Sequence, residues 1–599
     1  MRRRDVLKMA PYAPLVLGAC CVHASSSQGV TAPRRRVRPG DLACPSTASW
    51  QRLGEAVHGN LIEVQSLLAP CAHEAASAGC VEVTQHLRNP FYLGDQPAGT
   101  QVSGWLDAWT PAPSVYAIKA RTADDVVAGV NFARSNNLRL VVKGTGHSYL
   151  GTSNAADSLL IWTRAMNAVQ LHDAFVPMGC TGKIAPVPAV TAEAGAVWID
   201  LYDAVTVRAG RYVQGGGCTD TGVAGLIQSG GFGSYSKGFG TAAGSLLEAE
   251  VVTADGRVRT VNACTNPDLF WALKGGGGGT FGVVTRVTLQ TYDLPDTFGG
   301  AGAKIKARSD GVFEQLIARF VSFYRESLLN AHWGEQVKLG PDNTLEISMA
   351  SQGLNRAQID QTWKPFLDWV NASPQDLSLV RPWFTYAVPA RSMWEVEGNP
   401  AMSRDTRDGA PKHHGWWQGD QGQVGAFLHG YESLWLPASL LEKDAQRRLV
   451  KALFAASRFR QLELHMNKGL AGATPQARVA AQQTATNPAV LDAFALAIIA
   501  GGEGPAYPGL PRPAIDLQAA HAAARAIDLA TAELRKLVPE AGSYVSESNY
   551  FNRSWQRAYW GDHYPRLRAI KNKYDPEGLF CVHHGVGSEE WSPDGFTRL

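Results

Sequence analysis

Between Val115 and Val142 the apolar positions follow two different periods. Val115 to Ala120 is a short apolar run and predicts a strand. Thr122 has the form of a helix cap, with Asp124 and Asp125 in the first turn, where carboxylates favour the helix dipole. Val126, Val127, Val130 and Ala133 recur at helical spacing, Asn136-Asn137 ends the helix, and Leu138 to Val142 predicts the next strand. A strand–helix–strand unit of this length predicts a parallel pair. Ala249 to Thr253 and Arg257 to Val261 flank Asp255-Gly256 and predict a hairpin, and Val283 to Leu289 predicts a further strand. From about 293 to 540 the pattern changes: helices such as Gly311 to Leu328 and Pro513 to Leu537 alternate with short strands such as Leu345 to Met349 and Gln461 to Met466. A helix is also predicted near Trp50 to Leu68, and no internal repeat is found.

Length and charge narrow the classes. The chain has 599 residues, 45% of them apolar, enough for more than one domain. A formal charge of +3 is too near neutral to point to nucleic acid. The N-terminus reads as an export signal: Arg3-Arg4-Asp5-Val6-Leu7-Lys8 resembles the twin-arginine pattern, and Met9 to Leu17 is apolar but too short to span a bilayer. Val22-His23-Ala24 fits a cleavage site, while Leu17-Gly18-Ala19-Cys20 resembles a lipobox that would acylate Cys20. No other long apolar run occurs, so no transmembrane helix is expected. Residues 25–40 turn basic and read as a disordered spacer.

Three glycine-rich segments carry candidate chemistry. In the first, the strand ending at Lys143 opens into Gly144-Thr145-Gly146-His147-Ser148, followed by Gly151, Thr152 and Ser153. Gly144 and Gly146 let backbone N–H groups approach a diphosphate, the hydroxyls add donors, and His147 offers a nucleophilic ring nitrogen. A lone His in such a turn is most often structural, but a second segment changes that weighting. There Gly215-Gly216-Gly217-Cys218 leads to Gly222, Gly225 and Gly230-Gly231-Phe232-Gly233, a setting in which Cys218 reads as a thiolate of lowered pKa. The third, Asn266 to Thr285, contains Gly275 to Gly279 without the Lys-Ser/Thr ending of a P-loop. Its Gly277, Gly279 and Gly282 run from a helix into the strand that starts at Val283, the reverse of a dinucleotide fold.

In this order and spacing, the three segments resemble the berberine-bridge-enzyme-like branch of the vanillyl-alcohol-oxidase (PCMH-type FAD-binding) family, above all its isoamyl-alcohol-oxidase-like and carbohydrate oxidase members. The tail agrees, with Trp560-Gly561-Asp562-His563-Tyr564-Pro565, Lys571 to Phe580 and Gly585-Val586-Gly587-Ser588-Glu589. The resemblance covers roughly 110 to 295 and 540 to 591. It implies an α+β protein: a two-part PCMH-type FAD-binding domain plus a substrate domain with an antiparallel sheet and flanking helices. The expected divisions are an export signal (1–24), the spacer (25–40), an N-terminal extension (41–108), the FAD-binding domain (109–293), the substrate-binding domain (294–540) and a C-terminal segment returning to the FAD-binding domain (541–599).

The resemblance also implies covalent FAD, with His147 at the 8α-histidyl position and Cys218 where bicovalent members carry a 6-S-cysteinyl link. Cys218-Thr219-Asp220-Thr221-Gly222 keeps the family's spacing but not its Pro and Val. Gly144, Thr145, Gly146, Ser148, Gly151, Gly217, Gly222, Gly225, Gly233, Gly282 and Val283 are the expected cofactor contacts. Candidate bases are Tyr544 and Glu547 in the tail, where Ser546 replaces the family's Asn, and Glu463 and His465, which alternate with Asn467 on a predicted strand. His413-His414 is a possible pocket wall, and no metal site is expected from two adjacent His. Setting aside Cys20, Cys21 and Cys218 leaves six of the nine cysteines, which allow up to three disulfides or several free thiols.

The expected function is an exported FAD-dependent oxidase, periplasmic or secreted. It would oxidise an alcohol or carbohydrate hydroxyl with O2 as acceptor and pass through the twin-arginine export machinery. The alternatives are a dehydrogenase using a quinone or protein acceptor, and a low-turnover flavin-binding protein.

Overall fold

The computed structural model describes residues 35–72, 74–510 and 515–599. The export signal, Cys20 and all but the end of the spacer lie outside these residues. Three sheets organise the described chain. A four-stranded sheet has the order Leu61–Glu63, Tyr116–Lys119, Ser158–Trp162, Arg139–Lys143. A five-stranded antiparallel sheet has the order Val258–Asn262, Leu246–Val252, Val283–Gln290, Val187–Glu193, Val169–Phe175. The third sheet has eight strands. Its order is Leu377–Pro389, Thr297–Ala307, Thr344–Gln352, Trp333–Leu339, Leu462–His465, Ala493–Glu503, Phe427–Pro437 and Gly104–Trp105. All its neighbours are antiparallel except the last pair.

The helix Ala123–Ser135 forms for the predicted reason: Thr122 and Asp125 complete a capping box. Its flanking strands are parallel to each other but not adjacent, because Ser158–Trp162 lies between them and pairs with both. The three fully apolar residues Leu159, Leu160 and Ile161 account for this central place. The helix expected over Trp50 to Leu68 is corrected. Thr47–Ala56 is helical, and His58 (φ 53°) and Gly59 (φ 78°) then turn the chain. Leu61–Glu63 joins the four-stranded sheet as its edge, so the extension is built into that sheet. The tail meets the same sheet, where Phe580 forms a parallel bridge with Leu140.

The Asp255-Gly256 hairpin forms, with Val252 opposite Val258. Helices Asp310–Phe323, Arg356–Asn371, Lys443–Phe459 and Leu517–Arg535 cover one face of the eight-stranded sheet. The first continues as a π-helical turn over Tyr324–Leu328, so the helical stretch ends at Leu328 as expected. The last starts after its Asp516 cap. Two disulfides form, Cys71–Cys80 and Cys180–Cys264, while Cys44, Cys218 and Cys581 are free. Among the described residues no helix is long and apolar enough to cross a membrane.

Candidate active site

The uncovered face of the eight-stranded sheet and the glycine loops enclose a cavity of 2020 Å³. That is about twice the upper end of an ordinary small-molecule pocket, roughly 300–1,000 Å³. Gly144, Thr145, Gly146, His147, Ser148, Gly217, Cys218, Gly222, Gly225 and Gly282 line it, as do Glu463, His465, Tyr544 and Glu547. Three expected contacts do not. Gly151 is packed where a Cβ would meet the Trp109 indole at 2.6 Å, and Gly233 where it would meet the Gly215 carbonyl at 2.0 Å. Val283 turns away from the cavity while its neighbour Val284 lines it. His413 and His414 also lie outside the cavity wall.

The His147 loop is anchored from below. The buried Lys143 ammonium donates to the carbonyls of Gln96, Pro97 and Gly99 at 2.6, 2.7 and 3.0 Å. Gly146 sits at φ +85°, a backbone region that favours glycine. Ser148 Oγ and Thr152 Oγ1 share a hydrogen bond at 2.7 Å. The Gly222 N–H donates to Thr145 Oγ1 at 3.2 Å, tying this loop to the one that bears Cys218. His147 Nε2 contacts Asp220 Oδ2, the same oxygen that accepts from Gln101 Nε2 at 3.1 Å. The carboxylate therefore fixes the ring through Nε2 and leaves Nδ1 beside Thr221 Oγ1 at 3.5 Å.

The Cys218 loop is held on both sides. Trp198 and Ile199 N–H groups donate to the carbonyls of Thr221 and Thr219 at 3.1 and 2.9 Å. Thr219 Oγ1 donates to the Gly415 carbonyl at 2.6 Å. The expectation of a lowered Cys218 pKa is corrected. Burial, with the carboxylates of Asp420 and Asp220 nearby, pushes the thiol well up. Burial is the larger cause, and the two carboxylates add to it. Asp420 in turn is raised to about 6 by burial and by Asp220.

Across the cavity, one strand turns two side chains inward. Glu463 accepts from His465 Nε2 at 3.1 Å and pairs with Lys338 Nζ at 2.8 Å. Burial opposes ionisation of Glu463, but these two partners hold it down to about 2. Asn467 also lines the cavity, from a turn just past the strand. Glu547 is bonded to Lys468 Nζ at 2.6 Å through Oε1, which ties up its charge. Tyr544 is buried edge-on against Phe232, 5.1 Å between ring centres, and burial raises its hydroxyl pKa. Glu547 thus presents no free base, while Tyr544 lines the cavity with its hydroxyl buried and without a partner in the chain. The tail also supplies a stack of Tyr550, His583, His584 and Trp555, of which both imidazoles reach the cavity.

The sequence reading assigns no role to Asp220, Asp420 or Lys338. Asp220 stands two residues after Cys218, a carboxylate inside a glycine turn, and that was a usable signal. Asp420 and Lys338 reach the site only through tertiary packing. Glu335, at φ +66°, is a further cavity carboxylate and sits where a non-glycine backbone is strained.

The cavity suits a large polar cofactor. Ser153 Oγ, Gln228 Oε1, Gln336 Oε1 and Asn467 Oδ1 line it, buried and without a partner in the chain. Such atoms call for a ligand that hydrogen-bonds. At Gly217, Gly225 and Gly278 a Cβ would point into open space, which leaves room for close approach.

Residues 114–262 match the FAD binding domain family, and residues 525–587 match the berberine and berberine-like family. The VAO-type flavoprotein oxidase VAO615 of Thermothelomyces thermophilus is 28% identical, covering 95% of this chain and 95% of its own. The crystal structure of VAO-type flavoprotein MtVAO615 from Myceliophthora thermophila C1 aligns with a TM-score of 0.74 at 24% identity, over 94% of this chain and 100% of that one. The structure of glucooligosaccharide oxidase from Acremonium strictum, which carries a 6-S-cysteinyl, 8α-N1-histidyl FAD, aligns with a TM-score of 0.59 at 17% identity, over 88% of this chain and 99% of that one.

Proposed function

The chain belongs to the VAO-type, berberine-bridge-enzyme-like FAD-linked oxidoreductases, and from that premise we propose that it oxidises an alcohol or sugar hydroxyl with O2 as acceptor, giving H2O2. Bound FAD supplies the two-electron acceptor for hydride from the substrate carbon. His147 and Cys218 are its covalent attachment points. Asp220 on His147 Nε2 leaves Nδ1 as the nucleophile, and the N1-histidyl linkage named for the glucooligosaccharide oxidase supports this choice. Asp420, raised to about 6, is placed to receive the Cys218 proton.

The observation that carries the reading is the Lys338–Glu463–His465 ladder facing the two glycine loops across one cavity. His465 is the base. Glu463, kept ionised by Lys338, accepts a hydrogen bond from Nε2–H and leaves Nδ1 to accept the substrate's hydroxyl proton. The Arg3-Arg4 pattern supports export to the periplasm or beyond, with Cys20 as the lipid site if the lipobox is used.

The test is anaerobic mixing with a panel of alcohols and oligosaccharides, followed by admission of air. Bleaching of the flavin, then recovery with stoichiometric peroxide, is expected for at least one member. Bleaching that persists in air and clears only with a quinone would overturn the oxidase reading.

A further inference from the structure

Outside the cavity, Asp200 Oδ1 lies 2.8 Å from His413 Nε2 and 3.1 Å from His414 Nε2. These three ligand atoms all lie within 4.8 Å of one another. We propose that Asp200, His413 and His414 bind one divalent transition-metal ion of the zinc class, which pins the hairpin Met402–Trp417 to the helix Trp198–Leu201.

Four observations support the site. First, ligand atoms about 2.0–2.2 Å from a zinc ion stand roughly 2.8–3.5 Å apart, and the two carboxylate–imidazole separations, 2.8 and 3.1 Å, fall in that range. Second, two of the three ligands are held from behind. Asp200 Oδ2 accepts from the Val197 N–H at 3.0 Å, leaving Oδ1 to face the imidazoles. The buried His414 ring is stacked on Phe91 at 4.3 Å. Third, among the described residues no Lys or Arg pairs with Asp200, whose side chain is 15% exposed. A second carboxylate, Asp203, is 4.0 Å from His413 Nδ1 and already paired with Arg208. A carboxylate so placed needs a counter-charge, and a bound cation supplies it. Fourth, the His413 side chain is 33% exposed, which opens an entry path and leaves coordination positions for water.

The donor set fixes the class of ion. Two imidazoles and one carboxylate suit Zn2+, Fe2+, Mn2+ or Co2+; Mg2+ and Ca2+ take oxygen donors, and Cu+ prefers sulfur. The consequence reaches the cavity without touching substrate. The helix holds Thr219 and Thr221 by their carbonyls, and Gly415 of the hairpin takes the Thr219 hydroxyl. The ion would clamp both supports of the Cys218 loop.

The test is calorimetric titration of chelator-treated holoprotein with Zn2+, comparing wild type with Asp200→Asn and His413→Gln. Wild type should take one ion per chain with a rise in Tm, and each variant should bind at least about tenfold more weakly. X-ray absorption at the zinc edge of wild type should show a nitrogen and oxygen shell with imidazole scattering. That spectrum decides the matter even if a variant fails to fold. Absence of binding at millimolar Zn2+, equal binding by a folded variant, or a sulfur shell would each overturn the site.

Discussion

The two faces of the eight-stranded sheet are built from the same strands and do opposite work. On the helix side Leu462, Leu464, Val337, Leu339, Ile347 and Ile499 pack against Phe313, Trp363, Phe366, Leu449 and Leu453 in one apolar core. On the other side the intervening residues Glu463, His465 and Lys338 form a charged ladder in the cavity wall. The strand period of two makes this possible, and a slip of one residue would exchange the faces. The apolar face holds the register, and the register delivers the chemistry. Stability and activity should therefore separate by face.

The sharpest break is His465→Ala, expected to lower kcat by about 10²–10⁴-fold with little change in the urea midpoint. Rate measurements at saturating substrate, beside equilibrium unfolding, check both halves. Unaltered kcat would remove the base from the ladder. Trp363→Ala, on the other face, should cost about 3–5 kcal/mol of stability while the folded fraction keeps its kcat. Denaturant titration and active-site-normalised rates read this out.

Asp420→Asn probes a cavity carboxylate through pH. Its pKa rises from 3.8 to about 6 on folding, so between these values the folded chain keeps a proton that the unfolded chain has lost. The cost of ionising it in place grows as pH rises through this window and is complete above 6. In flavin-free protein the variant should gain on the order of 1–3 kcal/mol over wild type at pH 7.5 and nothing near pH 4. Thermal unfolding at the two pH values tests the sign. The smallest effect belongs to Lys364→Ala, which removes an exposed i,i+4 pair with Asp368 on the outer helix. It should change stability by about 0.5 kcal/mol or less and kcat not at all.

How much of this was legible in the chain depends on how local the cause is. The Thr122 cap, the Asp255-Gly256 turn and the alternation of Glu463 and His465 are written within a few residues, and each can be seen in the pattern. The insertion of Ser158–Trp162 between two strands is not, because an apolar run does not name its neighbours. The Trp50 to Leu68 reading followed composition past His58-Gly59, where two positive φ angles end the helix. The pKa of Cys218 failed for a similar reason. The glycines around it are visible, but Asp420 arrives from some two hundred residues away. His413 and His414 look inert beside each other until Asp200 is folded against them.

The most direct test of two-point flavin attachment is acid precipitation of wild type, His147→Ala, Cys218→Ala and the double variant. The account predicts yellow pellets from wild type and both single variants, and a colourless one from the double variant. Flavin released into the supernatant from wild type would contradict it.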